Sequence, residues 1–278
     1  MLSNLIDRII LLFFFFFKDN VVVRKNALTG VVTILFFVTF LSGCGTFGTY
    51  NTATGKKEFI MISTAEEVAM GQSVDQNLRS EYKYSSNSTL KSRVEGIGRK
   101  IAEVSDRKDY QYNFFVIEKD ELNAFTTPGG NIYIFTGLLN KLTTDAQIAA
   151  VIAHETGHCA AKHVVKKYQA SLGYDIVKKL ILGRLDSSGS AAQVVSMSSG
   201  TLMNLVFSKY SRGDEFEADR LGVKYLYLSG YDLNGIIETL TILQNESKGS
   251  AGPLILSSHP YLKDRIESVK REIQVLKN

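Results

Sequence analysis

The chain has little of the residues that mark several protein classes: of 278 residues, two are cysteine, three are proline, four are histidine and none is tryptophan. Two cysteines exclude a disulfide-stapled scaffold, and three prolines exclude a collagen-like or proline-rich disordered chain. Charge of one sign is scarce too. With 32 Lys and Arg against 28 Asp and Glu the formal net charge is +4, no basic block occurs, and no nucleic-acid partner is expected. No apolar run reaches the roughly 18 to 20 residues that a membrane-crossing helix needs.

What is present is an apolar excess at one end. Residues 9–17 read IILLFFFFF and residues 27–41 read ALTGVVTILFFVTFL. The second run follows Arg24 and Lys25 and ends in Leu41-Ser42-Gly43-Cys44, the layout of a secretory signal. Its last four residues resemble a bacterial lipobox, in which the cysteine is lipidated and becomes the mature N-terminus; the alternative is a signal-anchor with an incidental cysteine. On the lipobox reading, residues 1–43 are a signal peptide, 44–62 are the lipidated N-terminus and a Gly/Thr-rich tether, and 63–278 are the folded domain. The first apolar run is redundant for such a signal, which predicts that translation starts at Val23. Lipid on Cys44 places the domain in the cell envelope. Gly45 is not the Asp that retains lipoproteins in an inner membrane, so the periplasmic face of the outer membrane is expected if the cell is Gram-negative. Loss of residues 1–43 removes Arg8, Lys18, Arg24 and Lys25 against Asp7 and Asp19, which lowers the net charge from +4 to +2. Cys159 then has no intramolecular partner.

Along the remaining chain, Ser63 or Thr64 with Glu66 and Glu67 starts a helix to about Tyr82. A second helix is predicted from about Thr89 to Val104, with strands at 110–118 and 131–135 on either side of the turn Pro128-Gly129-Gly130. Beyond these the chain reads as helical except for a Ser/Gly-rich break at 186–200, a passive loop or a lid. One helix carries the chemistry. It starts near Thr143 or Thr144 and runs AQIAAVIAHETGHCAAKHVVKKY, and the stretch Ile148 to Ala153 leaves it no polar face, so it is buried. Into it the sequence places His154, Glu155 and His158, which there cost several kcal/mol unless something satisfies them.

His154 and His158 lie four residues apart, so both imidazoles project from one helix face and can bind one Zn²⁺. Glu155 is one step round and can take a proton from a water at the metal and pass it to a leaving amine. The pattern His-Glu-x-x-His is expected by chance only about 0.003 times in a chain of this composition, so two incidental histidines are a weak alternative. A catalytic zinc needs a third protein ligand and an open position. The candidate is Glu215, in a helix capped by Ser211. On that helix Glu215 and Asp219 share a face with the small residues Ala218 and Gly222, and Asp219 can accept a hydrogen bond from the outer nitrogen of a ligating histidine. The competing reading has Asp214, Glu215 and Glu217 merely complementing the helix dipole.

Four motifs in order resemble the HtpX-like peptidases related to the CAAX prenyl proteases, which are gluzincins: Asn123-Ala124-Phe125 with Pro128-Gly129-Gly130; His154-Glu155-Thr156-Gly157-His158; Ser211-Arg212 with Glu215, Ala218 and Asp219; and Ser258-His259-Pro260 with Arg265-Ile266. The chain looks most like the short lipoprotein branch, linked to envelope protein quality control. The resemblance implies an α+β, mostly helical zincin-like metallopeptidase domain with a small antiparallel sheet packed over the zinc helix. It also implies one Zn²⁺ per chain held by His154, His158 and Glu215, with Glu155 as base and then acid. His259 either stabilises the oxyanion, occupies the fourth zinc position and holds the site shut, or merely leads into a helix before Pro260. At 100° per residue His163 falls about 140° round from His158, too far for a ligand, and reads as a residue behind the ligands or on the surface. The strand at Asn131, Ile132 and Tyr133 is a candidate sheet edge on which extended polypeptide substrates can pair. Two other functions are weighed against the endopeptidase: a lipid-anchored adaptor or chaperone of envelope assembly, and a zinc hydrolase of another amide or ester.

Overall fold

A computed structural model describes residues 48–181, 199–248 and 252–277. The signal segment, the Val23 start, Cys44 and residues 186–198 of the Ser/Gly break lie outside the described residues. The part read as a tether is folded from Thr49 onward. β1 (Thr49–Asn51) and β2 (Lys56–Glu58) form a hairpin through Gly55 at φ +69°. The Asn51 side chain accepts from the Ala53 N–H and donates to Glu58 and to the Ala160 carbonyl, and Ala53 is buried in the core. Polarity had suggested a linker; local side-chain to backbone bonding of the Asn51 kind is what orders such a segment.

α1 (Thr64–Glu81) starts at Ser63, whose side chain and that of Glu66 form a reciprocal capping box. α2 (Ser88–Val104) is capped by Asn87. β3 (Asn113–Ile117), β4 (Ala124–Thr127) and β5 (Asn131–Phe135) form one sheet in the order β3-β5-β4. β4 pairs antiparallel with β5, but β3 pairs parallel, so this sheet is mixed rather than antiparallel. β5 is therefore the central strand, and the expectation that Asn131, Ile132 and Tyr133 form an edge is corrected. The reason is legible in its composition. All five residues of β5 are buried, with Ile132 and Ile134 in the core cluster of α2 and the helix that carries His154 and His158, and Tyr133 and Phe135 in a second cluster with α1. A strand apolar on both faces belongs in the middle of a covered sheet.

After the short α3 (Thr136–Lys141), α4 (Asp145–Ala160) begins with a Thr144–Gln147 capping box. Every residue from Gln147 to Ala160 is buried, as its all-round apolarity requires. The helix does not continue through Lys162: that residue adopts φ +58°, and α5 (His163–Ile181) starts afresh. Then follow α6 (Ser199–Val206), α7 (Arg212–Leu228), α8 (Asn234–Glu246), α9 (Ile255–Ser258) and α10 (Leu262–Lys277). The domain is α+β and mostly helical, and among the described residues no helix is long and apolar enough to cross a membrane. α7 lies directly against α4, because Gly157 faces the backbone of Ala218 and Gly222 faces that of His154. A side chain at either crossing would hold the two helices apart.

Candidate metal centre

One turn apart on α4, His154 and His158 bring their Nε2 atoms to 3.0 Å of each other. Ser211 caps α7 in a reciprocal box with Asp214, and the next residue, Glu215, reaches the same point: its Oε1 lies 3.5 Å from His158 Nε2 and its Oε2 3.6 Å from His154 Nε2. His259 closes the group between α9 and α10, with Nδ1 3.3 Å from His154 Nε2 and 3.0 Å from Glu215 Oε1. One donor atom from each of these four buried residues lies within 4.8 Å of the others. Donors held at 2.0–2.2 Å in a tetrahedron around zinc stand about 3.3–3.6 Å apart, and these separations, 3.0–3.6 Å, are close to those of a metal's ligand set. Three imidazoles and one carboxylate suit zinc. Glu155 adjoins the group, with Oε1 3.6 Å from His259 Nε2, while its Oε2 is buried without a hydrogen-bond partner in the protein. An orphaned carboxylate oxygen beside four crowded donors fits a site built for a cation and a reacting group.

The electrostatics agree. Burial drives the His158 imidazole well below its ordinary value, leaving it neutral, as a ligand must be. Burial pushes the Glu215 carboxyl up, but the Arg265 guanidinium and His259 outweigh it and hold the group well below the usual carboxylate range. Arg265 Nη1 is 2.7 Å from Glu215 Oε2, and its Nε and Nη2 donate to Asp219. Asp219 in turn sets Oδ1 2.9 Å from His154 Nδ1, the nitrogen turned away from the other donors. Burial lowers the His259 pKa, yet the facing carboxylates of Glu215 and Glu155 bring it above the ordinary imidazole value.

Residues 88–273 match the family described as Peptidase family M48. The chain belongs to that family. It is 24% identical over 216 residues to the Beta-barrel assembly-enhancing protease of Escherichia coli (strain K12), covering 75% of this chain and 44% of that protein. It is 28% identical over 229 residues to the Mitochondrial metalloendopeptidase OMA1 of Schizosaccharomyces pombe, covering 80% and 65% respectively. Against the Arabidopsis thaliana protein of that name it is 32% identical over 167 residues, covering 59% and 32%. The chain thus spans less than half the length of the first of these relatives.

The structure brings together His154, Glu155, His158, Glu215, Asp219 and His259 and leaves Asn131, Ile132 and Tyr133 in the middle of the sheet. β4 is an outer strand of this sheet, and all four of its residues are buried. Phe135 donates to the Asn123 carbonyl, so in the antiparallel register the peptide groups of Ala124 and Thr126 point away from β5. A mostly apolar pocket lined by Ala150, Val151, Ile236, Leu240 and Ile255 opens beside Glu155 and His259. Tyr210 escaped the sequence reading, and Arg265 entered it only as part of a motif, with no role of its own. Tyr210 lies with its ring 3.9 Å from that of His158, and its N–H is bonded to the Ser258 carbonyl. Arg265 grips Glu215 and Asp219 of α7. Its signal was available: it interrupts the buried stripe Leu262, Val269 and Ile273 of α10, and a charge inside an apolar stripe needs a partner.

Proposed function

We propose that this chain is a zinc-dependent metalloendopeptidase, anchored in the cell envelope through lipid on Cys44 and cleaving unfolded or misassembled envelope polypeptides. The observation that carries the reading is the convergence of His154, His158 and Glu215 at metal-ligand spacing, with the buried, unpartnered oxygen of Glu155 at its border. Zinc held by these three residues would supply Lewis-acid polarisation of the scissile carbonyl and a water of pKa about 7. Glu155 takes the proton of the attacking water and hands it to the leaving amine. Arg265 and Asp219 fix Glu215 and His154 in place. The family membership and the named protease relatives support this activity, and the envelope role agrees with the name of the Escherichia coli relative.

His259 is assigned as the fourth donor of the resting site, because its Nδ1 stands among the other donors. With zinc bound, catalysis would need an open position, which His259 would have to leave. The same geometry favours a second reading, an envelope assembly adaptor whose metal site stays shut. Glu155→Gln separates the two. The endopeptidase reading expects zinc content unchanged and casein cleavage lost, with a deletion strain no longer complemented. Wild-type casein cleavage by the Glu155→Gln protein overturns the general-base assignment, and complementation without cleavage establishes the adaptor.

A further inference from the structure

A second histidine pair extends the centre outward. The two imidazoles of His158 and His163 meet through their Nδ1 atoms at 2.8 Å, and His163 Nε2 lies 3.3 Å from Glu217 Oε2 and 3.6 Å from Asp214 Oδ1. His163 is buried, and Glu217 is bridged on its other oxygen by Lys56 at 3.0 Å. The break at Lys162 creates this contact, since a continuous helix would have turned His163 about 140° away.

We propose that His163, held by Glu217, is a positioning residue that locks the tautomer and orientation of His158 and thereby sets the affinity of the site for zinc. This rests on the zinc reading of the centre. His158 turns Nε2 toward the other donors, so its Nδ1 must carry the proton and needs an acceptor. Among the described residues the heteroatom at hydrogen-bond distance from it is Nδ1 of His163, which can accept only if its own proton sits on Nε2. That Nε2–H in turn donates to the Glu217 carboxylate at Oε2. The proton order is therefore fixed from outside inward: carboxylate, Nε2–H of His163, Nδ1 of His163, Nδ1–H of His158. Where Asp219 orients His154 directly, a neutral imidazole relays the same control to His158.

The test is zinc affinity, measured by competition with a chromophoric chelator, alongside thermal unfolding of the zinc-free proteins. His163→Leu should lower affinity about 10- to 100-fold, whereas His163→Gln, whose amide can accept from His158 and donate to Glu217, should stay within about threefold of wild type. Equal affinity of wild type and His163→Leu overturns the proposal, as does a Gln variant as weak as the Leu one. If His163→Leu does not fold, Glu217→Leu breaks the relay from its outer end and should show the same loss. Nitrogen-15 NMR of the wild-type zinc form gives a reading without any variant: His163 should be protonated on Nε2, and protonation on Nδ1 refutes the relay. A wild type that binds no zinc refutes the underlying metal reading instead, a result distinct from a relay that fails while zinc binds.

Discussion

Replacing Gly157 by alanine tests whether the centre depends on the close crossing of α4 and α7. A Cβ at this position would lie 2.8 Å from the Ala218 carbonyl oxygen and 3.1 Å from its Cα. Ordinary contact begins near 3.4 Å, so the helices must separate by about 0.6 Å, and both atoms belong to backbone that cannot rotate away. Overpacking of this kind costs about 1–3 kcal/mol. Removing glycine from a helix interior returns about 0.5–1 kcal/mol, so net stability should change by only about 0–2.5 kcal/mol. Zinc affinity is the sharper readout. Glu215 sits one turn before Ala218 on the displaced helix, and metal–ligand distances tolerate only about 0.2 Å. Chelator competition should show zinc bound at least about tenfold more weakly than by wild type. Gly96→Ala, at a position with nothing within 4 Å, is the control: it should stabilise α2 by about 0.4–1 kcal/mol and leave zinc binding unchanged. Wild-type zinc affinity in Gly157→Ala would mean that α7 is not held in register by this crossing and would refute the reasoning.

The remaining predictions concern other parts of the domain. Arg107→Leu leaves the buried Glu67, whose two oxygens each accept from Arg107 at 2.9 Å, with Lys162 at 3.6 Å in place of those bonds; it should cost up to about 3–5 kcal/mol in urea unfolding, and a loss under 1 kcal/mol would refute the importance of this pair. His259→Ala should retain zinc on three ligands. In the zinc-free protein the raised pKa of His259 means that its charge stabilises the fold fully below about pH 6.5 and progressively less as pH rises through the folded value. The stability difference between wild type and His259→Ala should therefore shrink with rising pH, and a difference that grows would contradict the sign. If Glu155 hands its proton to the leaving amine, as proposed, the pocket at its side would receive the side chain of the residue that supplies that amine. Mapping cleavages in a peptide library should show aliphatic residues after the scissile bond, and a preference for charged residues there would refute this placement.

How far the sequence could be read depends on the range over which each signal acts. The capping boxes at Ser63, Thr144 and Ser211 span three residues, and the spacing of His154 and His158 spans one turn, so these local features appear in the structure where the pattern places them. Glu215 and Asp219 were legible as one face of one helix, since small residues beside acids suggest close approach. What failed was long-range or turned on a single dihedral. Strand order depends on what covers β5, and the run NIYIF carried the clue in being apolar on both faces, but its neighbours lie 18 residues upstream and within β4. The hairpin at 49–58 is held by Asn51 reaching Ala160, 109 residues away. The end of α4 is the most telling case. Nothing in CAAKHVVKK breaks a helical pattern, and lysine is a good helix former, yet Lys162 takes a left-handed conformation that costs about 1–3 kcal/mol in a non-glycine residue. Such strain persists only where surrounding structure demands it, and here the demand is visible: Lys162 Nζ lies 3.6 Å from buried Glu67, and the reversal turns His163 onto His158. The local propensity that misleads the sequence reading is thus overridden at the one residue whose conformation joins the second histidine pair to the metal centre.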